Sequence, residues 1–469
     1  MAGRHYARLA CFRAFPRNSP MSKELFGTDG IRGVPGEFPL DNATLEAAGG
    51  ALAAYLKSAS VGARPRVLLG MDTRESSAHL AARLARGAMD AGAEVASAGV
   101  ISTPGVACLV RMDRFSAGVV VSASHNPYTD NGIKLISPEG TKFSDAVEAA
   151  LEREILERRK SAGAASDAKL PADTVLDAQY LDYLRQFLLP GARLEGMPIV
   201  LDCANGAVSE LGPALFRSLG MKVTAIHNRP NGRNINDGCG SLHPESLRKA
   251  VLESRAALGA AFDGDADRAI FLSGSGRIVD GDGVLFIAAR HMNSAGTLRG
   301  GVVVGTTMTN LGLERALEEE GIGLARAPVG DRYVFEEMQK RGANLGGEQS
   351  GHVIFLDDSI TGDGLLTALI VASLVSLHGP LDALAANLKV FPQRIVNVRV
   401  KSKPPLESLE GVARTLAAAD STLGAAGRVV LRYSGTEPVA RVMVEAEREE
   451  DVERWTRELS EAVRGAIGA

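Results

Sequence analysis

The chain is poor in the features that mark disulfide-rich, zinc-binding and membrane-spanning proteins. Its 469 residues include only four cysteines, Cys11, Cys108, Cys203 and Cys239, and no two of them form a CxxC pair. This spacing supports neither a disulfide framework nor zinc, and it is typical of a protein in a reducing cytosol. No apolar run reaches the ~18 residues of a membrane span, and the longest candidate, residues 365–377, predicts a buried core helix.

The chain also lacks a surplus of basic residues. Its net charge of −4 argues against a nucleic-acid partner that needs a broad basic surface. We therefore expect a cytoplasmic protein with no nucleic-acid partner and no membrane partner. The 45% hydrophobic and 23% charged residues are ordinary for a globular protein. The length predicts about three domains, at ~150 residues each.

Acidic residues are absent from the first twenty positions, which contain four arginines. This composition is found in organelle transit peptides. The sequence from Met21 onward resembles the start of a protein. An upstream start codon therefore explains the first twenty residues better than a transit peptide does. We predict that residues 1–20 are disordered and take no part in the chemistry.

Strand-then-helix alternation recurs three times along the remaining chain. Predicted strands at 66–70, 198–202 and 301–304 are each followed by a helix and a further strand. Repeated βα units predict layered sheets covered by helices. Residues 394–400 instead alternate between apolar and polar side chains, as a half-exposed antiparallel strand does. The last eighty or so residues therefore predict a smaller α+β domain.

Three aspartates, Asp263, Asp265 and Asp267, lie two residues apart after an apolar run that reads as a buried strand. Carboxylates so close together repel one another unless a cation lies among them. Oxygen ligands separated by small residues favour Mg²⁺, and the carboxyl end of a buried strand is where α/β sheets bind ligands. An acidic, solvated turn is the alternative, and the position after a buried strand favours a metal site.

The polar run at residues 122–127 follows another predicted buried strand and contains Ser124 and His125. A serine at such a junction can be exposed while its backbone is held rigidly, although the run also fits a helix N-cap. It lacks the Gly-x-Ser-x-Gly pattern of a hydrolase. Lys134 follows closely, and by itself it fits phosphate binding, acid/base chemistry or simple solvation.

Two later loops combine glycine with hydrogen-bonding side chains. Glu348, Ser350 and His352 suit sugar hydroxyls, although a glycine-rich turn with chance polar residues is the alternative. The run at residues 432–438 offers what a phosphate needs, namely a guanidinium, hydroxyls and backbone N–H groups around a glycine. We predict a phosphate site formed by Arg432, Ser434, Gly435, Thr436 and Arg441.

Other polar positions carry weaker signals. Arg32 belongs to a glycine-rich loop at residues 27–33 that indicates little by itself. Five histidines have no partner visible in the sequence and are expected to be structural: His79, His227, His243, His291 and His378.

Taken together, these runs resemble the α-D-phosphohexomutase superfamily. The resemblance extends over residues 21–469, and the serine, metal, sugar and phosphate loops occur in the family's order. Gln349 and the runs at 309–314 and 329–334 are similar to the branch that acts on glucosamine phosphates. The phosphomannomutase/phosphoglucomutase branch usually carries another residue at position 349.

The resemblance implies an α/β fold of four domains around a central cleft. Three related α/β domains with mixed sheets would be followed by a smaller C-terminal α+β domain like the TATA-binding protein. The expected boundaries are 21–175, 176–279, 280–390 and 391–469. It also implies a cytoplasmic homodimer that acts on an amino-sugar phosphate and supplies precursors of amino-sugar nucleotides and the cell wall.

The resemblance further implies roles for the loop residues. Ser124 would carry a phosphoryl group and, with the three aspartates, hold Mg²⁺. The chain would then interconvert glucosamine 6-phosphate and glucosamine 1-phosphate through a 1,6-bisphosphate, which also acts as activator. Arg268 and Lys134 would add positive potential, and Arg32 would steady the phosphoryl group. The general base is either Lys134 or His125.

Three other functions stay open. A phosphoglucomutase or phosphomannomutase would differ only in its preference at C2 of the sugar. A Mg²⁺-dependent phosphatase with an aspartate nucleophile would normally carry Thr after its Asp-x-Asp pair, whereas Arg268 follows Asp267, and it would not need Ser124. A non-catalytic sugar-phosphate-binding protein is hard to reconcile with four loops in order.

Overall fold

The structure, a computed structural model, describes residues 24–27, 30–59, 64–161, 166–434 and 438–469. The predicted leader, residues 1–20, lies outside this range. Among the described helices, none is both long and apolar enough to cross a membrane.

The strands and helices alternate through most of the chain. The strands are β1 Phe26–Gly27, β2 Gly30–Gly33, β3 Arg66–Met71, β4 Glu94–Val100, β5 Ala117–Val121, β6 Asn131–Ile136, β7 Pro198–Asp202, β8 Lys222–Ile226, β9 Leu258–Phe262, β10 Ala269–Ser273, β11 Ile278–Val279, β12 Val302–Thr306, β13 Gly323–Ala327, β14 Leu345–Gly347, β15 Val353–Phe355, β16 Gln393–Arg399, β17 Gly427–Tyr433 and β18 Val439–Ala446. The helices are α1 Asn42–Ala59, α2 Ser77–Asp90, α3 Thr103–Met112, α4 Asp145–Arg159, α5 Thr174–Arg185, α6 Leu211–Ser218, α7 Glu245–Ser254, α8 Gly281–Ser294, α9 Leu311–Glu319, α10 Asp331–Arg341, α11 Gly364–His378, α12 Leu381–Leu384, α13 Glu410–Leu423 and α14 Glu449–Ile467.

These strands form four sheets. The first three have the orders β1-β2-β6-β5-β3-β4, β11-β10-β9-β7-β8 and β13-β12-β14-β15, and the fourth is β16-β18-β17. Each of the first three combines parallel strands with an antiparallel extension, whereas the fourth is antiparallel throughout. The predicted α/β class, with three mixed sheets and a smaller C-terminal α+β domain, is confirmed. The domain boundaries remain predictions.

Burial explains why the central strands read as unbroken apolar runs. Every residue of β5 and β9 is buried, because helices cover both faces of these sheets. Helix α11 is buried from Gly364 to Val375 and packs against β9, β10 and α8, as predicted for a core helix. Its N-cap is Asp363, whose carboxylate accepts a hydrogen bond from the N–H of Leu366.

One antiparallel turn recurs in the same place in the first three sheets. It joins β5 to β6 through residues 122–130, β9 to β10 through 263–268, and β14 to β15 through 348–352. These turns contain the predicted serine, metal and sugar loops. The three related sheets therefore present their functional loops from equivalent positions.

An ion pair of the fourth sheet, between Arg428 and Glu445, contacts the backbone that follows β12 of the third sheet. Arg428 Nε lies 2.6 Å from Glu445 Oε2, and the same guanidinium donates to the carbonyls of Thr307 and Thr309 over 2.9 and 2.5 Å. Glu445 Oε1 accepts the N–H of Leu311 over 3.0 Å. Two side chains of the C-terminal domain thus hold the backbone at the start of α9.

Candidate active site

Ser124 lies in the turn after β5 with its hydroxyl against the metal loop. Its Oγ donates a 2.5 Å hydrogen bond to Asp263 Oδ2 and lies 3.3 Å from His125 Nδ1. Its backbone has a φ of 52°, a left-handed conformation that a serine adopts only at a cost of about 1–3 kcal/mol. The residue is buried, so surrounding contacts must hold this conformation.

Two side chains hold the serine turn from outside it. Arg74 Nη2 donates to the carbonyls of Ser124 and Asn126, both over 2.9 Å, and Asn236 Nδ2 donates to the same two carbonyls over 2.9 and 3.0 Å. Arg74 Nε lies 3.1 Å from the buried Asp72 carboxylate. These three supporting residues were not predicted from the sequence, although Asp72 and Arg74 directly follow β3, as the metal loop follows β9.

The three aspartates of the metal loop converge as predicted for a cation site. Each offers a carboxylate oxygen within 4.8 Å of the other two, and all three residues are buried. Asp265 Oδ1 and Asp267 Oδ1 are buried oxygens without a hydrogen-bond partner among the residues that the structure describes. Buried, unsatisfied carboxylate oxygens are costly unless a cation binds them. The donor set therefore fits a divalent metal that prefers oxygen ligands.

Lys134 extends from β6 into this group of carboxylates. Its Nζ lies 2.7 Å from Asp265 Oδ2 and 3.7 Å from Asp267 Oδ2, and its side chain is 2% exposed. Thr103 Oγ1 donates to the same Asp265 oxygen over 2.5 Å. A buried ammonium thus offsets part of the negative charge of the metal loop.

Burial and neighbouring charges shift the pKa values of two of these carboxylates in opposite directions. Burial and the two other aspartates raise the pKa of Asp263 well above its usual range. Burial acts in the same direction on Asp267, but Lys134 and His352 outweigh it and lower the pKa of Asp267. A further cation would therefore stabilise the ionised form of Asp263, the partner of the Ser124 hydroxyl.

Arginine side chains lie beside the serine turn. Arg268 Nη1 is 3.4 Å from His125 Nδ1, and its Nε is 3.8 Å from Asp267 Oδ1. Burial, Arg268 and Arg32 lower the pKa of His125, which favours the neutral imidazole. Arg32 lies on β2, whose residues pair with the β6 strand that carries Lys134.

The sugar loop faces the metal loop from the third sheet. His352 is buried, its Nδ1 is 3.7 Å from Asp267 Oδ2, and its Nε2 accepts the N–H of Gly362 over 3.0 Å. Burial opposes protonation, but Asp267 outweighs it and raises the pKa of His352. Glu348 Oε1 accepts the N–H of Gly330 over 2.9 Å, and Ser350 is exposed. His352 therefore contacts the metal loop directly.

One cleft of about 800 Å³ brings six of the predicted site residues together. It is lined by residues of the first three domains, among them Arg32, Ser124, Asp267, Arg268, Glu348 and His352. Of the described residues, none from the fourth sheet lines it. The described part of the predicted phosphate loop therefore lies away from this cleft.

The predicted phosphate loop has two arginines side by side. Arg432 on β17 is the direct cross-strand partner of Arg441 on β18. Burial and the like charge of Arg441 lower the pKa of Arg432. Adjacent guanidinium groups repel each other, and an anion between them relieves the repulsion. Ser434 is buried at the end of β17, while Gly435 and Thr436 lie outside the described residues.

The relatives of this chain decide its family. It is 50% identical over 450 residues to the phosphoglucosamine mutase of Solibacter usitatus, which covers 96% of the chain and 100% of that protein. It is 51% identical to the phosphoglucosamine mutase of Koribacter versatilis, over 95% of the chain and 98% of that protein. The chain belongs to the phosphoglucosamine mutase family.

Domain comparisons agree with this membership. Four phosphoglucomutase/phosphomannomutase domain models match the chain: alpha/beta/alpha domains I, II and III at residues 23–162, 178–276 and 280–391, and the C-terminal domain at 395–462. A solved phosphoglucomutase/phosphomannomutase family protein from Burkholderia thailandensis has the same fold, with a TM-score of 0.78, 22% identity, and coverage of 96% of this chain and 100% of that one. The resemblance to the phosphohexomutases is confirmed.

Proposed function

We propose that this chain is a Mg²⁺-dependent phosphoglucosamine mutase that uses a phosphoserine at Ser124. It interconverts glucosamine 6-phosphate and glucosamine 1-phosphate. The observation that carries the proposal is the 2.5 Å hydrogen bond from Ser124 Oγ to Asp263, one of three clustered carboxylates. A nucleophilic oxygen and a cation site in direct contact are what phosphoryl transfer needs.

The reaction proceeds by two transfers at one serine. In the first, the phosphoryl group leaves Ser124 Oγ for O1 of glucosamine 6-phosphate, and the serine oxygen is released from its phosphoester. The product is glucosamine 1,6-bisphosphate. In the second, Ser124 Oγ attacks the phosphoryl group on O6, so that glucosamine 1-phosphate leaves and the phosphoserine is restored. The same bisphosphate, added in trace, activates an enzyme that has lost its phosphoryl group.

The metal loop is the proposed Mg²⁺ site. Asp263, Asp265 and Asp267, with an oxygen of the phosphoserine, would hold the ion. When bound, Mg²⁺ neutralises charge on the transferring phosphoryl group. Arg268 and Lys134 supply further positive potential from fixed positions, as electrostatic stabilisation requires.

We assign the proton transfer to His125 on geometry. His125 Nδ1 lies 3.3 Å from Ser124 Oγ, where the phosphoryl group is exchanged. Lys134 is engaged by the Asp265 carboxylate at 2.7 Å. His125 would take the proton of the attacking sugar hydroxyl and return it to the oxygen that is released.

Substrate binding would use the two remaining loops. Glu348 and Ser350 would contact the sugar hydroxyls, and the Glu348 carboxylate suits the protonated amine at C2. His352 would support this loop against Asp267, since it lies 3.7 Å from that carboxylate. The phosphate that is not reacting would bind Arg432 and Arg441. The C-terminal domain must then move toward the cleft when substrate binds, which would also exclude water from the phosphoserine.

A coupled mutase assay tests the proposal. Purified protein with Mg²⁺ and a trace of bisphosphate would be given glucosamine 6-phosphate, glucose 6-phosphate and mannose 6-phosphate, with free phosphate followed in parallel. We expect a clear preference for the amino sugar without phosphate release. Equal or faster turnover of glucose or mannose phosphate would assign the chain to the other branch, and steady phosphate release would indicate a phosphatase.

A further inference from the structure

A second cluster of metal-binding side chains lies in the second domain, apart from the aspartates of the metal loop. Asp202, His227 and Cys239 each offer one ligand atom, and these atoms lie within 4.8 Å of one another. No motif in the sequence marks the cluster, because its members are far apart along the chain. Asp202 ends β7, His227 follows the neighbouring strand β8, and Cys239 belongs to the loop between β8 and α7.

The contacts of the cluster hold its ligand atoms in place, and Cys239 Sγ accepts from Asn205 Nδ2 over 4.0 Å. His227 Nδ1 lies 3.0 Å from Asp202 Oδ2, as an imidazole paired with a carboxylate does. The Asp202 carboxylate accepts backbone N–H groups from Ala204 and Gly240, both over 3.0 Å, and these bonds fix its direction. An imidazole nitrogen and a carboxylate oxygen this close can contact one ion, with the proton between them displaced when the metal binds.

We propose that Asp202, His227 and Cys239 bind a thiophilic divalent cation of the zinc class, separately from the Mg²⁺ of the active site. One sulfur, one nitrogen and one oxygen donor form a set that zinc accepts, with a fourth position left for water. Mg²⁺ prefers all-oxygen ligands and is selected against by this set. Asp202 is fully buried, and the His227 side chain, which is 31% exposed, provides the path from solvent.

The position of the cluster connects it to the serine turn. His227 and Cys239 lie at the two ends of one loop, and Asn236 in that loop donates to the carbonyls of Ser124 and Asn126. The backbone N–H of Asn205 also bonds to the carbonyl of His227 over 2.6 Å. A cation bound at both ends would restrict the loop that holds the phosphoserine turn.

Cobalt is the probe for this site, because Co²⁺ replaces zinc and reports thiolate ligation by a charge-transfer absorption. The full-length protein would be titrated with Co²⁺ in excess Mg²⁺, which keeps the active-site aspartates occupied. We expect one equivalent to give the thiolate-to-cobalt band. Bound Co²⁺ should also raise the apparent Tm, since a ligand of the native state stabilises it.

Variants locate the site. Cys239→Ser should abolish the band, whereas Cys203→Ser, which removes the neighbouring buried thiol, and Ser124→Ala should keep it. His227→Gln should weaken Co²⁺ binding at least about tenfold, since even outer-shell partners of a metal cost about 10–100-fold. The half-exposed position of His227 makes this variant informative if Cys239→Ser fails to fold. Absence of the band at saturating Co²⁺, its persistence in Cys239→Ser, or unchanged affinity in His227→Gln would overturn the proposal.

Discussion

The hydroxyl of Ser124 and the carboxylate of Asp263 share a 2.5 Å hydrogen bond across two different sheets. Ser124 follows β5 of the first sheet, and Asp263 follows β9 of the second. The equivalent turns of two related domains are thus in direct contact. A change at either residue is expected to alter the reactive oxygen itself.

Ser124→Ala should remove turnover while the fold is retained. The variant lacks the side-chain oxygen that contacts Asp263, so no phosphoserine can form, and activity should fall by at least about 10⁴-fold. The coupled mutase assay measures the loss, and a melting curve checks the fold. The exposed Ser161→Ala serves as control and should keep full activity. Turnover close to wild type in Ser124→Ala would refute the phosphoserine mechanism.

Arg74→Lys should lower kcat while KM changes little. Lysine keeps the positive charge near Asp72 but cannot donate to the carbonyls of Ser124 and Asn126 in the same geometry. We expect a loss of about 100-fold in kcat, the size of effect that a misplaced reacting group produces. A rise in KM with unchanged kcat would instead indicate a role in substrate binding.

Lys134→Met should destabilise the protein more strongly in EDTA than in Mg²⁺. The substitution leaves Asp265 and Asp267 without their buried cation, which typically costs about 3–5 kcal/mol. Bound Mg²⁺ supplies positive charge at the same carboxylates and should reduce the loss. Denaturant unfolding under both conditions measures the difference.

An exposed lysine provides the control for this experiment. Lys160, whose side chain is 70% exposed, pairs with Glu157 on the surface. Lys160→Met should change stability by no more than about 0.5 kcal/mol in either condition. An equal loss in Lys134→Met with and without Mg²⁺ would show that Lys134 and the metal do not act on the same carboxylates.

Arg432→Ala should raise KM more than it lowers kcat. Its guanidinium lies beside Arg441 and is proposed to bind the phosphate that is not reacting. Loss of a hydrogen bond to a charged group costs about 1.5–3 kcal/mol, which corresponds to roughly a 10- to 100-fold rise in KM. Arg399→Ala, an exposed arginine of β16 in the same sheet, is the matched control. An unchanged KM in Arg432→Ala would refute the phosphate-loop assignment.

Asp363→Asn should change how stability depends on pH. Burial raises the pKa of Asp363 from 3.8 to about 6, so the folded protein holds a proton that the unfolded chain loses as the pH rises through this range. This residue therefore favours folding most below about pH 4, and its contribution falls until about pH 6, by roughly 3 kcal/mol in total. Asparagine cannot ionise and still caps α11 through its side-chain oxygen.

Unfolding free energies between pH 4.5 and 7.5 test the Asp363 prediction. The stability of Asp363→Asn relative to the wild type should increase with pH up to about 6, because the wild type loses stability over this range and the variant has no carboxyl group at this position. Above about pH 6 the difference should level off, because Asp363 is then ionised in both the folded and the unfolded wild type. A relative stability that does not vary with pH would show that Asp363 is not titrating in this range.

The sequence was sufficient for the fold class and for the three cleft loops. Ser124 and Asp263 directly follow apolar runs that read as buried strands, and polar residues at that position are recognisable without a structure. Glu348 was found differently, from the combination of glycines with hydrogen-bonding side chains. The mixed sheets and the total of four domains followed from the family resemblance, whereas the alternation at residues 394–400 had already indicated the smaller C-terminal domain.

The supporting residues could not be predicted because they act through contacts distant in sequence. Arg74 and Asn236 bind backbone carbonyls of the serine turn, and no side-chain pattern marks a carbonyl as a partner. His227 was expected to be structural without a visible partner, whereas the structure places it 3.0 Å from Asp202. Only the pairing of β7 with β8 brings these two residues together.

Lys134 also affects the order in which the chain folds and binds its metal. Small zinc domains reach their native state only after the metal arrives, because nothing else holds their ligands together. Here a covalently attached cation, the Lys134 ammonium, lies among the aspartates before any metal binds. Newly synthesised chains can therefore complete folding first and take up their metal later, so a shortage of the ion should yield dormant enzyme that is ready for activation rather than misfolded protein.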